Sequence, residues 1–157
     1  MSDSKPKDVP LDGTGKRFAI VAGRFNSFVV DNLVSGAVET FKSNGVAPND
    51  VALQYVPGCF ELPLTAQRIA ARGEVDAIVA LGAVIRGDTP HFEYVAGETA
   101  RGLQDVALKY GLPVVFGVLT TDNEEQALVR ADPEGENKGV DAANAALEMV
   151  AVLAEIG

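Results

Sequence analysis

Apolar and polar positions along the chain change period several times, and each change marks an element. Phe18-Ala19-Ile20-Val21-Ala22 is a continuous apolar run of strand length closed by Gly23, as expected for a strand covered on both faces. Apolar residues then recur at Val30, Leu33, Val34, Ala37, Val38 and Phe41 with Asp31, Ser35, Glu39 and Lys42 between them, which is helical spacing. Asn26 or Ser27 can cap that helix and Gly45 can end it. Asp50 to Val56 alternates and is closed by Pro57-Gly58, predicting a second strand. Glu61 to Arg72 returns to helical spacing, with Pro63 in the first turn and Gly73 as the stop.

Val75 to Val84, centred on Ala77-Ile78-Val79-Ala80-Leu81, reads as the most buried strand. A long helix is predicted from Phe92 to Tyr110, with Val95, Leu103, Val106 and Ala107 inward and Gly111 and Pro113 as its end. Val114 to Leu119 is a fourth strand. Asp122 and Glu125 stand at capping-box spacing before a short helix, Asn123 to Ala131. A last helix carries Val140, Ala143, Leu147, Val150 and Leu153 on one face. Strands alternating with helices imply a parallel sheet with right-handed crossovers. The predicted fold is α/β, a three-layer αβα sandwich on a four-stranded parallel sheet, flavodoxin-like, in the order βαβαβαβαα.

Composition narrows the setting. A chain of 157 residues with 47% apolar residues suits one sizeable core. Met1 to Lys16 is poor in apolar positions and predicts a flexible tail, leaving one domain over residues 17–157. A net charge of −9 disfavours nucleic acid or an anionic membrane as partner. There is no membrane-length apolar run and no signal-peptide pattern. Cys59 is the only cysteine, so no internal disulfide and no cysteine metal cluster can form. A cytoplasmic protein is the expectation.

In a parallel sheet the loops Gly23–Ser27, Pro57–Glu61, Ala83–His91 and Phe116–Asp122 leave at the same edge, where such folds place ligands. Phe25 could stack on a flat heterocycle or staple the following helix. Glu61 could accept hydrogen bonds from a polyol or favour the helix dipole. Cys59 fits a small apolar role better than a nucleophile. Gly87, Asp88 and Thr89 before a helix could hold a phosphate through N–H groups, a hydroxyl and the positive helix end. Arg86 in the same loop could add positive charge for that phosphate, or be solvated or paired with Asp88. His91, the only histidine, is either a proton carrier at working pH or a solvated helix-start residue. Arg130 and Lys138 read as surface charges when taken alone. No zinc-ligand spacing, Walker loop, dinucleotide fingerprint or paired acids after the first strand is present.

Taken together, Gly23-Arg24-Phe25-Asn26, Val56-Pro57-Gly58-Cys59-Phe60-Glu61-Leu62-Pro63, Leu81 through Val95, Phe116-Gly117-Val118-Leu119-Thr120-Thr121, Glu125-Gln126-Ala127 and Asn137-Lys138-Gly139 resemble the 6,7-dimethyl-8-ribityllumazine synthases, in the family's order. The resemblance implies condensation of 5-amino-6-(D-ribitylamino)uracil with 3,4-dihydroxy-2-butanone 4-phosphate, the penultimate step of riboflavin biosynthesis, with no cofactor and no metal. It implies that Phe25 stacks on the pyrimidine, that Cys59, Phe60 and Glu61 hold the ribityl chain, and that Ala83, Val84 and Ile85 read the ring edge. Asp88, Thr89 and Arg130 would bind the phosphate and His91 would transfer protons. Phe116 and Arg130 would come from a neighbouring subunit of a homopentamer, with Lys138 as a further contact. Twelve pentamers closing into a shell, and association with riboflavin synthase, are the larger assemblies the resemblance raises. Two departures stand out: Cys59 where Ala or Ser is usual, and a more acidic loop at Asp132-Pro133-Glu134-Gly135-Glu136 than in shell-forming members.

Overall fold

The computed structural model describes residues 9–157. Four strands form one parallel sheet: β1 (Phe18–Gly23), β2 (Val51–Val56), β3 (Ala77–Ile85) and β4 (Val114–Thr121), in the order β2-β1-β3-β4. Five helices accompany them: α1 (Ser27–Ser43), α2 (Leu62–Arg72), α3 (His91–Tyr110), α4 (Glu124–Arg130) and α5 (Lys138–Ile156). The expected three-layer α/β architecture is what the chain adopts.

Side-chain parity builds the layers. In the central strands, Phe18, Ile20 and Ala22 of β1 and Ala77, Val79 and Leu81 of β3 face α1 and α5. Ala19, Val21, Ile78 and Ala80 face α2 and α3. Both faces are buried, so these strands are apolar without alternation. The edge strand β2 is mostly exposed, which is why its sequence alternates.

The α1/α5 side is very close-packed. Phe18 and Phe41 stack with ring centroids 4.4 Å apart. A Cβ on Gly139 would overlap the Leu33 carbonyl, and one on Gly36 would lie 2.7 Å from Asn137 Oδ1. The inward face of α5 is therefore built from Gly139, Ala142, Ala143, Ala146 and Leu147, whereas Leu153, expected inward, is exposed near the helix end.

Two further expectations change. The first eight residues of the predicted tail lie outside the described residues, and part of the remainder, residues 9–16, packs on the domain. Leu11 packs on the core, Gly13 is buried, and its N–H donates to the Asn44 carbonyl at 2.8 Å. The α4 cap is Asn123 rather than Asp122: Asn123 Oδ1 accepts from the Gln126 N–H at 2.8 Å, and the Gln126 side chain accepts from the Asp122 N–H.

Candidate active site

The strand order reverses between β1 and β3, since β1 runs on to β2 on one side and β3 to β4 on the other. This junction leaves a crevice beyond the carboxyl ends of both strands. A cleft of about 780 Å³ opens there, a size that suits a small-molecule substrate. Loops after β1, β2 and β3, with the first turn of α3, form its walls.

From the first loop comes Phe25, 74% exposed and lining the cleft, so it does not staple α1. Its neighbour Asn26 sits in the left-handed region at φ 62°, a conformation that Asn tolerates better than most residues. Asn26 Nδ2 donates to the Ala83 carbonyl at 2.9 Å. That bond ties the Phe25 turn to the end of β3. The cap reading for Asn26 gives way to this tie, because its side chain makes no capping bond to α1.

From the second loop come Cys59, Phe60 and Glu61, in a turn of 3-10 helix that leads into α2. Glu61 is exposed at the cleft wall and directly precedes α2, so the polyol and dipole readings fit one position. Cys59 is buried against Gly82, where a Cβ would collide with its sulfur. Burial pushes the thiol up to about 11 against a bond from the Ala83 backbone, so it is a packing group rather than a reactive thiolate. The Thr99 hydroxyl of α3, fully buried, lies 2.6 Å from the Val95 carbonyl and 3.2 Å from that of Cys59. This fastens the second loop to α3, and no sequence signal marked Thr99 for it beyond its place on the inward stripe.

The end of β3 supplies the third wall. The Ile78 N–H donates to Pro113 and the Arg86 N–H to Thr121, so even-numbered residues of β3 bond to β4 and odd-numbered ones face β1. Pairing with β1 stops at Ala22 and Leu81. Ala83 beyond it is engaged by Asn26 and Cys59, and Ile85, the next odd-numbered residue, lines the cleft past the end of that pairing. Of the three residues expected at a ring edge, Val84 has its backbone turned toward β4.

Gly87, Thr89 and His91 also belong to the lining. His91 is exposed as the first residue of α3, so it is a helix-start residue that also faces the cleft. Among the described residues no side chain caps α3; the Glu93 N–H turns back to the Pro90 carbonyl at 3.1 Å, and the N–H groups before it and the positive helix end are open to an anion. Asp88 is exposed in the same loop but outside the lining. Pro57, Phe92, Tyr94 and Val95 also line the cleft. The sequence could have suggested Tyr94 and Val95, which stand three and four residues after His91 on one helical face.

Arg86 pairs with Glu93 and Asp122, not with Asp88. Its guanidinium also lies 4.2 Å from the Phe92 ring centroid. Hydrogen bonding to this guanidinium holds the Glu93 carboxyl below its ordinary value.

Phe116, Arg130 and Lys138 are not brought into the cleft of their own chain. Phe116 is exposed on the edge strand β4. Arg130, in the last turn of α4, donates to the Gln126 carbonyl at 3.0 Å and has no carboxylate partner among the described residues. Lys138 begins α5 between Glu136 at 2.9 Å and Asp141 at 3.4 Å, and the Glu136 bond raises its pKa. Among the described residues no cluster of His, Cys, Asp and Glu could hold a metal ion.

A family model described as 6,7-dimethyl-8-ribityllumazine synthase matches residues 15–154.

Proposed function

We propose how the residues of this cleft divide the work of one reaction, from the premise that the chain belongs to the 6,7-dimethyl-8-ribityllumazine synthase family. The chain is a transferase of riboflavin biosynthesis that condenses 5-amino-6-(D-ribitylamino)uracil with 3,4-dihydroxy-2-butanone 4-phosphate, giving the lumazine, phosphate and water. The observation that carries the residue assignment is the meeting of Phe25, Glu61, Thr89 and His91 in one cleft.

Phe25 stacks on the pyrimidine and the Ile85 backbone reads its edge, with Ala83 and Val84 shaping that wall. Cys59 and Phe60 support the ribityl chain and Glu61 accepts its hydroxyls. Thr89, with Asp88 beside it and the uncapped start of α3 behind it, receives the phosphate. The amine attacks the ketone and water leaves to give an imine. Loss of a proton from the adjacent carbon then expels phosphate, and closure by the ribitylamino nitrogen releases water. Each step moves a proton, and His91 is the group placed to carry it. Holding both substrates in one cleft supplies the rest of the acceleration.

A cation for the phosphate is absent from the lining. Arg130, exposed and without a carboxylate partner among the described residues, is the group we assign to it, delivered with Phe116 by a neighbouring chain. Lys138 would add a further contact there after release from Glu136 and Asp141. That assignment requires an oligomer with sites between subunits, and the family resemblance makes it a homopentamer, with or without closure of twelve pentamers into a shell. No helix among the described residues is long and apolar enough to cross a membrane, and the cytoplasm is the setting we propose.

Purified protein given both substrates should form a fluorescent lumazine, and a folded protein that forms none overturns the reading. Arg130→Ala should raise the KM for the butanone phosphate by about 10–100-fold, the worth of a charge-assisted hydrogen bond. The KM for the uracil should stay within about twofold; an equal rise in both would remove the phosphate role.

A further inference from the structure

We propose that Arg86 is a positioning residue that clamps both ends of the Gly87–Pro90 loop and so fixes the geometry in which Thr89 and the open start of α3 meet a phosphate. The inference rests on the phosphate role assigned to that loop. Arg86 is anchored at four points. Its N–H donates to the Thr121 carbonyl at 2.8 Å, and its Nε donates to Asp122 Oδ1 at 3.0 Å. Its NH1 donates to the Glu93 carboxylate, and its guanidinium lies 4.2 Å from the Phe92 ring centroid. One side chain thereby joins the end of β3, the first turn of α3 and the segment leading into α4.

Between these anchors, among the described residues, the loop is otherwise held only at its last carbonyl, that of Pro90, which accepts from the Glu93 N–H at 3.1 Å. The Asp88 and Thr89 side chains make no hydrogen bond among the described residues, and Gly87 has no neighbour within 4 Å of a Cβ position. The loop is exposed throughout. Its shape therefore depends on where its two ends are fixed, and the Arg86–Glu93 pair fixes them relative to each other. The planar guanidinium can meet two carboxylates and a ring face at once, which a lysine ammonium cannot.

Stability is not the use of this arrangement. The side chains of Arg86, Glu93 and Asp122 are 42%, 55% and 69% exposed, and ion pairs so exposed contribute little to folding. Nor is Arg86 placed to serve as the phosphate cation itself, because two carboxylates already surround its single positive charge. Glu93→Gln separates the two roles. As a clamp, Arg86 loses an anchor and phosphate binding weakens; as a ligand, it would be freed and phosphate binding would tighten.

The test is steady-state kinetics on the full chain with Arg86→Met, Arg86→Lys and Glu93→Gln, each checked for native mass and melting temperature. Arg86→Met should raise the KM for the butanone phosphate about tenfold or more and lower kcat, since small misplacement of a bound group costs up to about 10²-fold. The uracil KM should stay within about twofold. Arg86→Lys should recover only part of the loss, and Glu93→Gln should raise the same KM by a smaller factor. An unchanged butanone-phosphate KM in folded Arg86→Met, or a lower one in Glu93→Gln, overturns the inference. If Arg86→Met does not fold, Glu93→Gln decides by the direction of its KM. Wild-type protein that forms no lumazine would instead remove the functional reading beneath it.

Discussion

Helix starts in this molecule fall into two groups. At α4 and α5 an asparagine side chain closes the orphan backbone donors: Asn123 accepts from Gln126, and Asn137 accepts from Gly139 and Val140. At α1, α2 and α3 no side chain does so, and it is Asn26, Glu61 and His91, at those three starts, that line the cleft. An uncapped first turn forgoes roughly 1 kcal/mol of helix stability. In return it presents N–H groups and positive potential to a bound molecule. Capping thus separates the starts that hold the fold together from those that face a substrate.

The contrast breaks most visibly at His91. His91→Ala should lower kcat by about 10²–10⁴, the usual worth of a general acid or base, while the melting temperature hardly moves. A kcat that is unchanged across a pH series would deny the role. Next in size, Gly139→Ala at the closed α5 start should cost about 1–3 kcal/mol in denaturant unfolding, because the new methyl meets the Leu33 carbonyl. Asn137→Ala should cost about 1–2 kcal/mol, since it orphans the Gly139 and Val140 donors and removes the second bond to the Asn32 carbonyl, to which Asn137 Nδ2 donates at 3.1 Å. In either variant, stability unchanged within error would mean that the two groups of helix starts do not differ as described. The last test leaves activity and stability aside and reads the reactivity of a thiol inside the cleft. With the Cys59 thiol at about 11, only about one thiol in a thousand is ionised at pH 8, so alkylation of native protein should be far slower than of unfolded protein. Equal rates would contradict its burial.

That thiol also gives a pH signature. Its folded pKa, about 11, lies above the ordinary value of 9.0, so the folded state favours the neutral form. The associated stability is fully present below pH 9 and is lost as pH rises toward 11. Cys59→Ala should flatten the melting-temperature profile over that window, and a profile of unchanged slope would exclude Cys59 as its source.

The four strands and five helices were legible because each has a strong local period and glycine or proline punctuation, as at Gly73 and Gly111, both left-handed at helix ends. Legibility failed where a local rule admits neighbouring answers. Asp122 and Asn123 are both good caps one residue apart, and the choice fell to Asn123 while Arg86 engaged Asp122. It failed also where the partner is distant in sequence. Arg86 has Asp88 two positions away, yet it meets Glu93 and Asp122, because the loop turns Asp88 outward while β4 brings its carboxyl end alongside β3.

By itself, the order of periods along the chain determined the parallel sheet, and hence that the loops after the strands share one edge, because a strand followed by a helix must cross back to re-enter a parallel sheet. The motifs in those loops determined the family. Only the tertiary structure decided which groups at that edge are free to act. Hydrogen-bond capacity and charge are consumed by whichever neighbours folding brings within about 3 Å, and those neighbours are seldom near in sequence. So Ala83 is tied by Asn26 while Ile85 stays open to the cleft, and Arg86 is held by two carboxylates while Arg130 has none among the described residues.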